Sequence, residues 1–122
     1  MKIELIQGDT SKVYKFQRKK IDSGLIKTLP QKMWITFKRN SNEEKAIFQK
    51  TLENGITYNE EDNYYRFQIL SNETAKLPIG TYGFDIAILN EEGEKKTLLQ
   101  NGVLNLLDHY TKKITRCSLW KN

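Results

Sequence analysis

The residue types in this chain that could do chemistry are few and scattered. Asp9 and Thr10 follow Gly8, Asp85 stands between Phe84 and Ile86, and His109 and Cys117 lie near the C-terminus. An acid, an imidazole and a thiol are the raw material of nucleophilic hydrolysis, provided that the base can orient and deprotonate the nucleophile. No nucleophile motif surrounds Cys117. Asp9 with Thr10 could bind a cation, but a single acidic residue in a turn has the form of an Asx turn that accepts from nearby backbone. Asp85, flanked by two apolar residues on a strand, points away from the core they define. The reading is therefore of a protein that is not an enzyme. Cys117 is the single cysteine and His109 the single histidine, which excludes an internal disulfide and a multi-cysteine zinc site. The acid-rich stretches Glu43-Glu44, Glu60-Glu61-Asp62 and Glu91-Glu92-Gly93-Glu94 lack the alternating ligands of a calcium loop and read as soluble turns. No metal and no cofactor are expected.

The remaining candidates are surfaces. Trp34, Tyr64 and Tyr82 could stack on bases or sugars. Tyr82 shares the parity of Phe84, Ile86 and Ile88 and reads as core, whereas Trp34 and Tyr64 fall on the face opposite their strands' apolar sets. Exposed, they form an aromatic patch of the kind found at interface centres; the competing reading covers them with a loop or the tail. The chain carries a formal charge of +5, of which residues 111–122 hold +4 through Lys112, Lys113, Arg116 and Lys121. The body, with 16 basic and 15 acidic residues before position 111, is nearly neutral. The basicity is thus terminal, with Arg18-Lys19-Lys20 the other local run, and nucleic acid ranks last among the partners considered. Ile114, Leu119 and Trp120 stand beside those terminal charges. Trp34, Tyr64, Lys112, Lys113, Arg116 and Trp120 are the candidate interface, the tail acting on acidic surface such as Glu60-Glu61 or Glu91-Glu92 of a second copy.

These residues need elements to position them, and the pattern is of strands. Two-residue alternation marks Lys2–Gln7, Lys12–Gln17, Lys32–Arg39, Ala46–Thr51, Ile56–Tyr58, Tyr64–Leu70, Thr81–Leu89 and Lys95–Leu107. Turn residues separate them at Gly8–Ser11, Ile21–Leu25, Asn40–Glu44, Glu53–Gly55, Glu60–Asn63 and Asn90–Gly93. Gly102 marks a bulge or bend. Ser71–Leu77 is the one helical stretch, capped by Ser71 or Asn72 and stopped by Pro78. Ile35, Phe37, Phe67, Ile69, Phe84, Ile86, Leu104 and Leu106 should share one interior between two sheets. A chain of 122 residues makes one domain, and no apolar run has the length of a membrane helix, so no membrane insertion is expected. The N-terminus shows no long apolar signal region, which leads to an expectation of synthesis in a cytoplasm.

Four stretches in order carry a resemblance: Gln7-Gly8-Asp9-Thr10, Trp34-Ile35-Thr36-Phe37-Lys38-Arg39, Leu77-Pro78-Ile79-Gly80-Thr81-Tyr82-Gly83-Phe84-Asp85-Ile86, and Thr97-Leu98-Leu99-Gln100-Asn101-Gly102-Val103-Leu104. Over about residues 3–107 the chain resembles the immunoglobulin-like N-terminal domain of phage baseplate upper proteins and related small tail and fibre proteins of phages of Gram-positive hosts. The resemblance implies an all-β, immunoglobulin-like antiparallel β-sandwich over 1–108 with one short helical turn near 72–77, followed by a basic tail over 109–122. It implies a structural or assembly protein of the tail or baseplate, made in the host cytoplasm and resident in the virion, whose partners are other phage structural proteins and its own copies. The family's larger members continue into coiled-coil regions, whereas this sequence ends at Asn122. A carbohydrate- or receptor-binding module on the same fold is the alternative, and it predicts a concave aromatic site with paired polar groups that the strand pattern does not show.

Overall fold

The computed structural model of the chain describes residues 1–20, 24–40 and 45–108. Among the described residues, ten strands and one short helix follow in order: β1 (Lys2–Ile6), β2 (Tyr14–Phe16), β3 (Lys19–Lys20), β4 (Gly24–Leu25), β5 (Lys32–Lys38), β6 (Phe48–Leu52), β7 (Gly55–Asn59), β8 (Tyr64–Phe67), α1 (Ser71–Thr74), β9 (Gly80–Leu89) and β10 (Lys95–Leu107). Eight strands form one curled sheet in the order β1-β10-β9-β5-β6-β7-β8-β2, and β3 pairs with β4 apart from it. The chain is all-β, as the alternation predicts.

The expected antiparallel sheet needs correction, because the sheet is mixed. β1 runs parallel to β10, from Lys2 beside Val103 to Ile6 beside Leu107, and β6 runs parallel to β7 over Thr51–Gly55 and Leu52–Ile56. The two parallel pairings, one at the edge of the sheet and one in its middle, have different physical reasons. β1 and β10 are sequence extremes, so no hairpin constrains their direction. Between β6 and β7 the chain makes a tight corner, with Glu53 at φ 69° and Thr51 and Asn54 exchanging backbone hydrogen bonds.

The predicted parity holds throughout the centre. Met33, Ile35 and Phe37 of β5, Tyr65 and Phe67 of β8, Tyr82, Phe84, Ile86 and Ile88 of β9, and Leu104 and Leu106 of β10 all face one buried interior together with Ile3, Leu5, Ile56 and Ile69. Phe37 stacks between Phe48, at 4.3 Å, and Phe84, at 5.0 Å between ring centroids. Offset aromatic pairs of this kind add to the stabilisation that burial itself provides.

The helix is shorter than predicted and is capped differently. Leu70 occupies the N-cap position, and its N–H donates to Glu73 Oε1 at 2.7 Å. The Ser71 hydroxyl instead donates to the Gly8 carbonyl, and Thr74, buried, accepts from the Gly8 N–H at 3.1 Å. The helix thereby ties the Gly8 corner to the stretch before β9. The predicted tail residues Lys112, Lys113, Arg116 and Trp120 lie outside the described residues, as do His109 and Cys117.

Candidate functional site: a polar trough on the outer face of the sheet

The side chains that face away from the core on β5, β9 and β6 are brought together by register. Trp34 stands beside Ala87, Thr36 beside Asp85 and Lys38 beside Gly83, while Gln49 of β6 stands beside Thr36 and donates to its hydroxyl at 2.9 Å. Gly83 and Ala87 are small, so the surface over β9 is low. Trp34 and Lys38 rise along one side of it. The result is an open trough: a hollow of about 560 Å³ bounded by Lys38, Arg39, Asp85, Gln100 and Asn101 adjoins one of about 370 Å³ bounded by Trp34, Gln49, Ala87 and Lys95. Thr36, Lys38 and Asp85 line both hollows, which makes the two continuous.

One wall is shaped by irregularity in β10. Its register against β9 slips twice, between Thr97 and Leu99 and between Leu99 and Gly102. Asn101 adopts φ 57°, a left-handed conformation that few residues other than glycine take, and this turns the chain so that Gln100 and Asn101 border the trough. Gly102, which follows, is buried against the core, where a Cβ would lie 2.7 Å from Cζ of Phe84.

The charged residues among the described lining of the trough are Lys38, Arg39, Lys95 and Asp85. Among the described residues, Lys38, Arg39, Lys95 and Asp85 form no ion pair. Three charged pairs elsewhere are matched inside the fold. The Arg18 guanidinium, whose side chain is 4% exposed, donates to the Thr28 carbonyl and lies 3.0 Å from Glu91. Glu91, which also accepts from the Thr28 hydroxyl, is held well below the usual carboxylate range, at about 2, first by its hydrogen bond with Arg18. Burial opposes the charge on Arg18, and Glu91 outweighs it, so that its pKa is raised. Tyr65 is raised by burial; its hydroxyl and Arg18 Nε are both buried without a hydrogen bond of good geometry. Lys50, on the core side of β6, places Nζ 2.8 Å from both carboxylate oxygens of Glu73. Asp62 is brought down to about 2 by the Arg66 guanidinium and also accepts from the Tyr64 N–H.

These pairings revise several expectations. Trp34 and Tyr64 do not form one patch: β6 and β7 separate their strands, roughly 14 Å along the sheet at ordinary strand spacing. Trp34 is half-buried in the trough, while Tyr64 lies against Lys15, whose Nζ is 4.7 Å from the ring centroid, and Arg66, at 5.8 Å. The basic run Arg18-Lys19-Lys20 loses its first member to the Glu91 pair. Asp9 is exposed in the Gly8 corner. Asp85 points outward, as its parity predicts, into the trough. No group of three or more His, Cys, Asp or Glu residues suited to a metal ion, and no helix long and apolar enough to cross a membrane, occurs among the described residues. Strand-by-strand reading missed Lys38, Arg39, Lys95, Gln100 and Asn101; the available signal was the outward parity of Gly83 and Ala87, a low row beside an outward Trp34. No protein-family model matches the chain, and neither a curated protein nor a solved structure is significantly similar to it.

Proposed function

We propose that the chain is a non-enzymatic, immunoglobulin-like interaction module of a phage tail or baseplate, assembling in the virion with other structural proteins and with its own copies. The observation that carries this reading lies inside the stretch most responsible for the resemblance: the Tyr82 hydroxyl donates back to the Pro78 carbonyl as the chain enters β9. A tyrosine that closes the corner before a central strand is a hallmark of immunoglobulin-like sandwiches. The strand order supports the same reading. In the single curled sheet β6 and β7 share a register of only two residues, a weak point at which a two-layer arrangement would divide the strands into β1, β10, β9, β5 and β6 on one side and β7, β8 and β2 on the other. Such a fold hosts many functions, so the assembly role rests on the resemblance.

Co-expression with the products of adjacent genes, followed by size-exclusion chromatography with light scattering, tests it. The expected result is a stable complex, with the full chain self-associating and a chain ending at Asp108 remaining folded but monomeric. A full chain that is monomeric and joins no neighbour's product overturns the reading. The alternative, a carbohydrate- or receptor-binding module, calls for a concave aromatic site with paired polar groups, and the trough, with Trp34 at one end and Asp85, Gln100 and Asn101 along it, supports that reading. The nucleic-acid alternative is weakened by the burial of Arg18.

A further inference from the structure

We propose that the trough over β5, β9 and β10 is a binding site for an acidic oligosaccharide. This goes beyond the assembly reading, and the two can fail separately.

Arg18, Lys50 and Arg66 each meet a carboxylate within the fold. Lys38, Arg39 and Lys95 meet none among the described residues, and the described lining of the trough sets these three cations against one anion, Asp85. The complementary occupant carries negative charge. It also meets groups that a simple anion would not use. Trp34 is the one aromatic side chain on the outer faces of β5 and β9, and it offers a flat apolar surface at one end. Asp85, without an ion-pair partner among the described residues, is a hydrogen-bond acceptor at the centre, and Gln100 and Asn101 offer amides that both donate and accept. An aromatic platform, a carboxylate acceptor and amides are the complement of a pyranose: C–H groups against the ring, hydroxyls to the polar side chains. Acidic substituents on the sugar then face the lysines and Arg39.

Shape agrees. From Trp34 to Lys38 the strand rises about 13 Å, so the groups are strung along a line as the residues of a short linear chain would be. The lining is too polar for the dry centre of a stable protein interface, where charged residues are depleted.

The test uses the full chain carrying Trp120→Phe, so that Trp34 is the only indole. Hexagalacturonate and a heparin-derived hexasaccharide are titrated by calorimetry and by fluorescence, beside neutral cellohexaose and hexaglutamate. At least one acidic sugar is expected to bind about tenfold or more tightly than both controls, to perturb Trp34 emission, and to weaken as salt rises. Asp85→Asn and Lys38→Glu, both on the outer face, should each lower affinity about tenfold with unchanged thermal melts; Trp34→Ala should do the same, and the emission signal covers the case in which it does not fold. Equal binding of hexaglutamate reduces the trough to a charge patch and overturns the proposal. So does the absence of binding by both acidic sugars, or binding that Asp85→Asn and Lys38→Glu leave intact. None of these outcomes bears on assembly with tail proteins.

Discussion

Arg18 and Glu91 are 73 residues apart in the chain and 3.0 Å apart in the fold, joining the segment after β2 to the turn between β9 and β10. The arginine side chain is almost fully buried and the glutamate about two-thirds buried, at 4% and 33% exposure. Removing one partner of a buried pair leaves the other charge without compensation. Glu91→Gln is therefore expected to destabilise by about 3 kcal/mol, the low end of the range for such pairs because Glu91 is partly hydrated. Chemical denaturation at neutral pH measures it, and a loss under about 1 kcal/mol would place the pair with ordinary surface bridges.

The same pair sets a pH dependence. Glu91 has a folded pKa of about 2 against an ordinary value of 4.5. A depressed carboxylate contributes its full stability above the unfolded pKa and loses it as pH falls toward the folded value. The stability gap between the native chain and Glu91→Gln should thus be constant above about pH 5 and shrink steadily as pH falls toward 2. Asp62, lowered in the same direction by Arg66, is present in both proteins and cancels in the comparison. A gap that widens on acidification contradicts the assignment.

What the sequence made legible follows from period. Alternation places Met33, Ile35 and Phe37, or Tyr82, Phe84 and Ile86, on one face whatever the strand pairs with, and all six are buried. Local alternation carries no information about which strand lies alongside or in which direction, so the parallel pairing of β1 with β10 was not readable. Arg18 and Lys50 illustrate a second limit. A charged residue reads as surface unless its partner is known, and their partners lie 73 and 23 residues away. The trough was half legible: Trp34 and Asp85 are outward by parity, but only the β5–β9 register, with Trp34 beside Ala87 and Thr36 beside Asp85, makes them neighbours.

Gly102 gives a sharp test of the bulge. The space a Cβ would need is occupied by the Phe84 ring, whose Cζ, Cε1 and Cε2 would all lie within 2.8 Å of it. That ring is itself stacked on Phe37 at 5.0 Å and cannot swing away freely. Gly102→Ala is expected to destabilise by about 1–3 kcal/mol, as overpacking does. Phe84→Ala should cost about 3–5 kcal/mol through the cavity it leaves. In the double variant the new methyl no longer meets a ring, so the combined loss should be smaller than the sum of the two. Simple additivity in thermal or denaturant melts would show that Gly102 is required for some other reason.

Lys50 and Glu73 supply the last prediction. Lys50 is at a core-facing position of β6, with its side chain 4% exposed, and Glu73 grips the ammonium through both oxygens while accepting the Leu70 N–H that opens α1. Gly55, at φ 110°, lies against the Lys50 stem, where an added Cβ would come within 3.1 Å of it. The two partners are not equivalent. Glu73→Ala strands a buried ammonium and uncaps the helix, and it should destabilise by about 3 kcal/mol or more. Lys50→Met removes the buried charge, keeps the apolar stem, and leaves a carboxylate whose side chain is 21% exposed and can rehydrate. It should be clearly the milder change. Because α1 is tied to the Gly8 corner through Thr74 and Ser71, Glu73→Ala should also speed amide exchange at Gly8, whose N–H donates to Thr74, while Lys50→Met leaves that site protected. The reverse order of stabilities, or equal protection of Gly8 in both variants, would show that Glu73 caps no more than its own helix.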